Sequence, residues 1–241
     1  RAGEGTTVRT PRVSPAHPHP RTPVLSLLLA QALANAPVVT VGSDLVAGSP
    51  AREDRPASAW VPVLADCLEE ARPGKLPVVD RSRAGVTSVS LKDDVEGVRS
   101  LAPTAVVIGV GSHEAPTGDP AVFRDQVEAV VKLLRADGGP QVYLVGLVAP
   151  VVGQIPAPDG QPVPEQAASD AKLVPWNEGL EKIASLDDGV WFVDLWGAWP
   201  REQAERDVLT TGGYVLTDPA HARVGAVICE QILANLRKRR K

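Results

Sequence analysis

Short apolar runs alternate along this chain with longer segments whose apolar residues recur every three or four positions. The runs are continuous and rich in valine, and they predict β-strands at residues 38–41, 76–79, 105–110, 142–148 and 190–194. Strands of a parallel sheet that is covered on both faces have this continuous apolar character, whereas a sheet with one solvated face shows strict alternation. The pattern therefore predicts a buried parallel sheet of five strands.

Helices are predicted where the apolar spacing changes to three and four residues. The apolar stripes that mark them are Trp60, Leu64 and Leu68; Leu91, Val95, Val98 and Leu101; Phe123, Val127, Val130 and Leu134; Leu173, Trp176, Leu180 and Ile183; and Val224, Ile228, Ile232 and Leu236. Asp119 and Pro120 supply an N-cap and a first-turn proline for the third helix. Strands that alternate with helices predict an α/β fold, a three-layer α/β/α sandwich around a five-stranded parallel sheet.

Polar side chains follow four of the predicted strands. Gly42-Ser43-Asp44 comes after the first strand, residues 80–88 after the second, and Gly111-Ser112-His113-Glu114 after the third; Asp218 and His221 come after the fifth and its trailing loop. The carboxyl ends of parallel strands meet at one edge of the sheet, so these groups are expected to converge there. A nucleophile, a base and hydrogen-bond donors at one edge are what acyl-transfer chemistry requires. The proline-rich segment 149–166 is the longest predicted loop and can overhang this edge.

In this order the motifs resemble those of the SGNH/GDSL-type hydrolases, over residues 37 to 236. Gly42-Ser43-Asp44-Leu45 is similar to the family's Gly-Asp-Ser-Leu, and Gly111-Ser112-His113-Glu114 falls on its Gly-x-Asn-Asp. Asp218-x-x-His221 matches its last motif, Asp-x-x-His, and Trp176-Asn177, expected to open a helix, is a secondary likeness. The resemblance implies the flavodoxin-like SGNH hydrolase fold. It also implies a general base at His221 that Asp218 orients, and an oxyanion hole formed by Gly85 and His113.

Two residues depart from the family's pattern. Asp44 stands where the resemblance implies the serine nucleophile, and His113 stands where it implies an asparagine donor. A carboxylate that attacked an ester would form a mixed anhydride, which is an unfavourable intermediate. Ser43 is one residue early, and successive side chains of a strand point to opposite sides, so Ser43 is expected to face away from His221. The substitution at His113 is milder, because an imidazole N–H can still donate to an oxyanion.

Two functions are consistent with these residues. The first is an ester (acyl) hydrolase or acyltransferase that acts on a small-molecule, glycan or lipid ester, with Ser43 or Asp44 as nucleophile. The second is a catalytically degenerate binding or scaffold protein of the same fold, for which a protein partner is conceivable. Neither function calls for a cofactor or a metal.

A nucleotide-binding function is set aside because the chain has no Gly-x-Gly-x-x-Gly. Structural roles also stay open, since Gly42 and Gly85 can serve tight turns and Asp218 can cap a helix.

Composition narrows the class of protein. The 241 residues are 44% apolar and 22% charged, which are the values of a globular chain. The net charge of −4 gives no reason to expect nucleic acid, and the basic run at 237–241 is interpreted as a solvated tail.

Cys67 and Cys229 are too few for a metal cluster or a disulfide scaffold. They can pair if their predicted helices are neighbours, but buried free thiols are the commoner arrangement and are the expectation.

Residues 1–36 are predicted to precede the hydrolase-like domain, which spans residues 37–241. Residues 1–23 are rich in Pro, Arg and His and are interpreted as an arm. Residues 24–36 either resemble the apolar core of a signal peptide or form an amphipathic helix before the first strand, and both interpretations stay open. An exported or periplasmic location is favoured over a cytoplasmic one. The apolar run is too short, and too interrupted by Gln31, Asn35 and Pro37, to predict a membrane span.

Overall fold

The fold is built on five parallel strands in the order β2-β1-β3-β4-β5. The computed structural model describes residues 36–43, 60–83, 85–115, 117–148, 170–198, 209–211 and 215–238. The strands of this sheet are β1 (Val38–Gly42), β2 (Val78–Asp80), β3 (Ala105–Gly109), β4 (Gln141–Val145) and β5 (Val190–Val193). The helices are α1 (Trp60–Ala71), α2 (Val95–Arg99), α3 (Pro120–Arg135), α4 (Asp170–Ala184), α5 (Leu195–Ala198) and α6 (Asp218–Lys238). A short antiparallel pair, β6 (Thr210–Thr211) and β7 (Val215–Leu216), precedes α6.

Both faces of the sheet are buried, because alternate side chains of each strand point to opposite sides. Val39 and Val41 of β1 belong to a core with α2, α3 and α4. Val38, one residue earlier, belongs to a second core with α1 and α6. Helices on both sides of a parallel sheet give the three-layer α/β/α architecture that the sequence predicts, and the predicted fold is confirmed.

The predicted elements are found with local shifts. The fourth strand ends at Val145 rather than at 148, because Asn177 replaces a neighbouring strand as the partner of Leu147. The Asn177 carboxamide accepts a hydrogen bond from Leu147 N at 2.7 Å and donates one to Leu147 O at 2.8 Å. The second predicted helix is divided into a 3₁₀ turn, Ser90–Asp94, and α2. Trp176-Asn177 was expected to open a helix, but it lies within α4, which begins at Asp170.

Asp119 caps α3 as predicted. Its carboxylate accepts hydrogen bonds from Ala121 N at 2.7 Å and from Val122 N at 3.4 Å, and Pro120 occupies the first turn. The cap satisfies backbone N–H groups that have no partner within the helix. It thereby fixes the start of α3 at the carboxyl edge of the sheet, directly after the loop that follows β3.

The expectation of free thiols is wrong, because Cys67 and Cys229 form a disulfide. Cys67 lies in α1 and Cys229 in α6, with the two Cα atoms 6.4 Å apart at a sequence separation of 162. The two helices pack side by side on one face of the sheet, and this brings the thiols together. The disulfide thus joins the helix that carries His221 to the helix that follows β1.

Several predictions concern residues outside this description. They include the arm and the signal-like segment up to residue 35, the proline-rich loop 149–166 and the end of the basic tail. The division into residues 1–36 and 37–241 therefore stays a prediction. Within the described helices, none combines the length and apolar character that crossing a membrane requires.

Candidate active site

Ser43 is buried at the carboxyl end of β1. Its backbone N–H donates to Gly109 O at 2.9 Å, so the pairing of β1 with β3 extends one residue beyond Gly42. Its side chain has no exposed surface, and the Ser43 and Ser112 Oγ atoms share a hydrogen bond of 2.9 Å. The regular strand ends at Gly42, whose φ is 144°, and Ser43 follows it in a bend. Asp44, the next residue of the motif, lies outside the described residues.

The third motif forms a tight turn directly after β3. Gly111 O accepts hydrogen bonds from the N–H groups of Glu114 and Ala115. Gly111 has a φ of 109°, and a Cβ there would lie 3.1 Å from side-chain atoms of Phe123 and Leu147. Conformation and space therefore both require glycine at this position. The turn directs Ser112 toward Ser43 and leaves His113 partly exposed.

Gly85 lies in the loop that follows β2. Its φ of 73° is in the left-handed region, and no heavy atom lies within 4 Å of the position that a Cβ would take. The requirement for glycine is therefore conformational rather than steric. The start of the loop is fixed by Asp80, whose Oδ1 accepts hydrogen bonds from Thr40 Oγ1 at 2.8 Å and from Ser82 N at 2.9 Å.

The end of the Gly85 loop is fixed by Glu114 and Gln126. Ser88 is 1% exposed; its backbone N–H donates to Glu114 Oε1 at 2.6 Å, and its hydroxyl donates to Gln126 Oε1 of α3. The other carboxylate oxygen, Glu114 Oε2, is buried without a hydrogen-bond partner among the described residues. Glu114 thus connects the loop after β2 with the loop after β3.

The last motif opens α6. Asp218 is the first residue of the helix and is exposed, whereas His221 is 3% exposed. His221 Nδ1 has no hydrogen-bond partner in the described part of the chain, so the Asp218 carboxylate is not bonded to it. Burial lowers the pKa of His221 to about 4, and the opposing effect of the nearby Asp218 charge is smaller. The imidazole is therefore neutral at pH 7.

A small apolar pocket borders these groups at the carboxyl ends of β3 and β4. Its volume is about 10 Å³, and it is lined by Trp60, Gly109, Val110, Ser112, Val145, Gly146 and Leu147. Trp60 is the first residue of α1, so the pocket lies between that helix and the Ser112 turn. This volume is about that of one water molecule.

The structure brings some of the predicted residues together and leaves others apart. The loops of Gly85 and His113 are connected through Ser88 and Glu114. No hydrogen bond joins Ser43 to His221 within the described residues, and the Ser43 hydroxyl is bonded to Ser112 instead.

Sequence reasoning assigned no role to Ser112, Glu114 or Asn177. The signal for the first two was their place in the turn after the third strand, since β1 and β3 are neighbours and their trailing residues must meet.

Comparison with known proteins identifies the family. The model of the GDSL-like lipase/acylhydrolase family matches residues 19–223. The chain belongs to this family. Its members are also called SGNH hydrolases, and the predicted resemblance is confirmed. A search of curated protein sequences finds no significant match.

Solved structures of several esterases and acylhydrolases share the fold. A lipase/acylhydrolase from Enterococcus faecalis has a TM-score of 0.63 at 17% identity, over 83% of this chain and 96% of that one. The acetyl xylan esterase AlAXEase has a TM-score of 0.62 at 17% identity, over 81% and 99%. A two-domain esterase active on acetylated mannans has a TM-score of 0.57 at 16% identity, over 88% and 53%. At these identities the likeness establishes the fold alone.

Proposed function

We propose that this chain is an ester-binding member of the GDSL-like family that does not carry out acyl transfer through a serine. The observation that carries the proposal is the Ser43 hydroxyl, which is fully buried and hydrogen-bonded to Ser112 Oγ at 2.9 Å. A nucleophilic serine must reach both its substrate and a base within hydrogen-bond distance. Ser43 meets neither requirement in this arrangement.

The surroundings of Ser43 are the physical reason. Its side chain is buried, and the one hydrogen bond of its hydroxyl among the described residues joins it to Ser112 Oγ and not to His221. An attack by Ser43 would require the hydroxyl to become accessible to a substrate and to reach a base. The family's own nucleophile position holds Asp44, whose attack on an ester would produce a mixed anhydride.

His221 is also poorly suited to act as a general base. A base works best when its pKa is near the working pH, because a weaker base gains little driving force for proton transfer. Burial lowers the pKa of His221 to about 4. His221 Nδ1 donates no hydrogen bond to the Asp218 carboxylate, so this carboxylate does not support the imidazolium that proton transfer would form. A site whose base is weak, and whose base has no hydrogen-bonded carboxylate, is better suited to binding an ester than to hydrolysing it.

The ligand class we propose is a short-chain acyl ester, with acetylated glycans as the first to test. Two of the similar structures are an acetyl xylan esterase and an esterase active on acetylated mannans. These activities belong to those proteins, and they guide the choice of ligand here.

The test compares binding with turnover. Calorimetry with acetylated and deacetylated xylo-oligosaccharides measures binding, and a chromogenic acetyl ester measures hydrolysis. We expect binding that requires the acetyl groups, and no hydrolysis above that of His221→Ala. Ser185→Ala is the matched control, since its hydroxyl bonds only within the exposed end of α4. Hydrolysis by the wild type that Ser43→Ala abolishes and Ser185→Ala retains would contradict the proposal.

A further inference from the structure

We infer that Glu114 is a positioning residue, whose carboxylate holds the Gly85 loop in the conformation that the ligand meets. The role rests on the proposed function, because it concerns the same cleft. Glu114 follows His113 in the turn after β3, and its partner Ser88 lies three residues after Gly85 in the loop after β2. One side chain therefore couples the two loops that frame the cleft.

The contact has the features of a strong hydrogen bond. Ser88 N donates to Glu114 Oε1 at 2.6 Å, which is at the short end for an N–H and a carboxylate. Ser88 itself is 1% exposed, so water competes little for this N–H. Hydrogen bonds to charged groups contribute more than neutral ones, and a buried N–H left without a partner is costly. Loss of the carboxylate is therefore expected to release the end of the loop.

The second carboxylate oxygen indicates that Glu114 serves the geometry of the loop and not the stability of the fold alone. Glu114 Oε2 is buried and has no partner among the described residues. Burial of a charged oxygen without a partner opposes folding, so a smaller neutral acceptor would hold Ser88 at a lower cost. A carboxylate is long enough to span the gap between the two turns, and its charge shortens the bond.

The Ser88 hydroxyl forms a second contact, which can be compared with the contact between Ser88 N–H and Glu114. It donates to Gln126 Oε1 on α3 and ties the same residue to the helix rather than to the turn of His113. Ser88→Ala removes this bond but keeps the backbone N–H that Glu114 accepts. The two anchors can thus be separated by mutation, and only the Glu114 anchor couples the two loops.

Amide hydrogen exchange of the loop is the first experiment. It compares the full-length wild type with Glu114→Ala, Glu114→Gln and Glu114→Asp. Glu128→Ala is the control, because Glu128 forms an exposed ion pair with Lys132 on α3. The contact to a charged acceptor predicts roughly 10- to 100-fold faster exchange at Ser88 N–H in Glu114→Ala. Glu114→Asp is expected to behave likewise because its side chain is too short, whereas Glu114→Gln keeps the length and an acceptor oxygen without the charge and should lie between Glu114→Ala and the wild type.

Ligand affinity is the second experiment, with acetylated xylo-oligosaccharide as the probe. Glu114→Ala and Glu114→Asp should weaken binding about 10-fold or more, and Glu114→Gln should restore most of it. Unchanged exchange at Ser88 in both Glu114→Ala and Glu114→Asp overturns the inference. Faster exchange with unchanged affinity also overturns it, because the loop would then not position the ligand. If the wild type does not bind the probe, the proposed function fails, while the exchange of Ser88 still decides whether Glu114 holds the loop.

Discussion

The Ser43 hydroxyl shows how a shift of one residue changes the chemistry that a strand end can perform. Its hydrogen-bonding capacity is used inside the protein, on Ser112, and its side chain has no contact with solvent. Strand alternation alone predicts that it faces away from His221. Its partner could not be named from the sequence, because Ser112 meets Ser43 only once β1 and β3 are known to be neighbours.

Protonation of His221 affects the stability of the fold. Its pKa is lowered from 6.5 to about 4 in the folded protein, chiefly by burial. Above pH 6.5 the imidazole is neutral in both states, and the folded state keeps its full stability. Between pH 6.5 and about 4 the unfolded chain binds a proton that the folded protein does not, so the free energy of unfolding falls as the pH falls. The loss across this window is on the order of 3 kcal/mol.

Urea denaturation of the wild type and of His221→Gln between pH 4 and pH 7 measures this effect. Carboxylates also titrate in this range, so the informative quantity is the difference between the two proteins at each pH. We expect the wild type to lose more stability on acidification than the variant does. Parallel stability curves through the whole window would mean that the imidazole is not held neutral by the fold.

At the scale of elements, α1 and α6 are joined through the Cys67–Cys229 disulfide. Neither cysteine carries a sequence signal for pairing, because α1 and α6 are far apart in the chain. Their packing on one face of the sheet depends on the order of the strands between them. The expectation of free thiols failed for this reason, although the apolar stripes of both helices were predicted.

Reduction of this disulfide is expected to lower the stability of the fold. The bond closes a loop with a sequence separation of 162 residues. The chain-entropy model gives about 5 kcal/mol for a loop of this size. The measurement is the urea midpoint with and without dithiothreitol, with the Cys67→Ala/Cys229→Ala double variant as control. The reductant should lower the midpoint of the wild type only. An unchanged wild-type midpoint, with two thiols titrated, would show that the cross-link does not stabilise the folded state.

The boundaries of elements were less predictable than their existence. The apolar run 142–148 continues past the end of β4 because Gly146, Leu147 and Val148 are also buried. A buried residue need not belong to a strand, so the run overestimated the length of β4. Asn177, about two turns inside α4, forms hydrogen bonds with the backbone of Leu147. Such a contact between a helix side chain and a distant backbone has no local pattern, and the sequence could not reveal it.

At the scale of the whole molecule, the sequence predicted the architecture well, because binary patterning directly encodes a sheet buried on both faces. Continuous valine-rich strands and helical stripes gave the three layers, and the carboxyl edge followed from the parallel topology. The candidate site was predicted as a set of positions. Its internal bonds, such as Ser43 with Ser112 and Ser88 with Glu114, required the three-dimensional neighbours.

The central claim is that no serine of the cleft is an activated nucleophile, and a fluorophosphonate probe tests this claim most directly. This reagent phosphonylates an activated serine, and intact-mass spectrometry followed by peptide mapping locates the added group. The account predicts that neither the wild type nor Ser43→Ala gains mass. A wild-type protein that becomes phosphonylated at Ser43, with the modification lost in Ser43→Ala, would contradict the account.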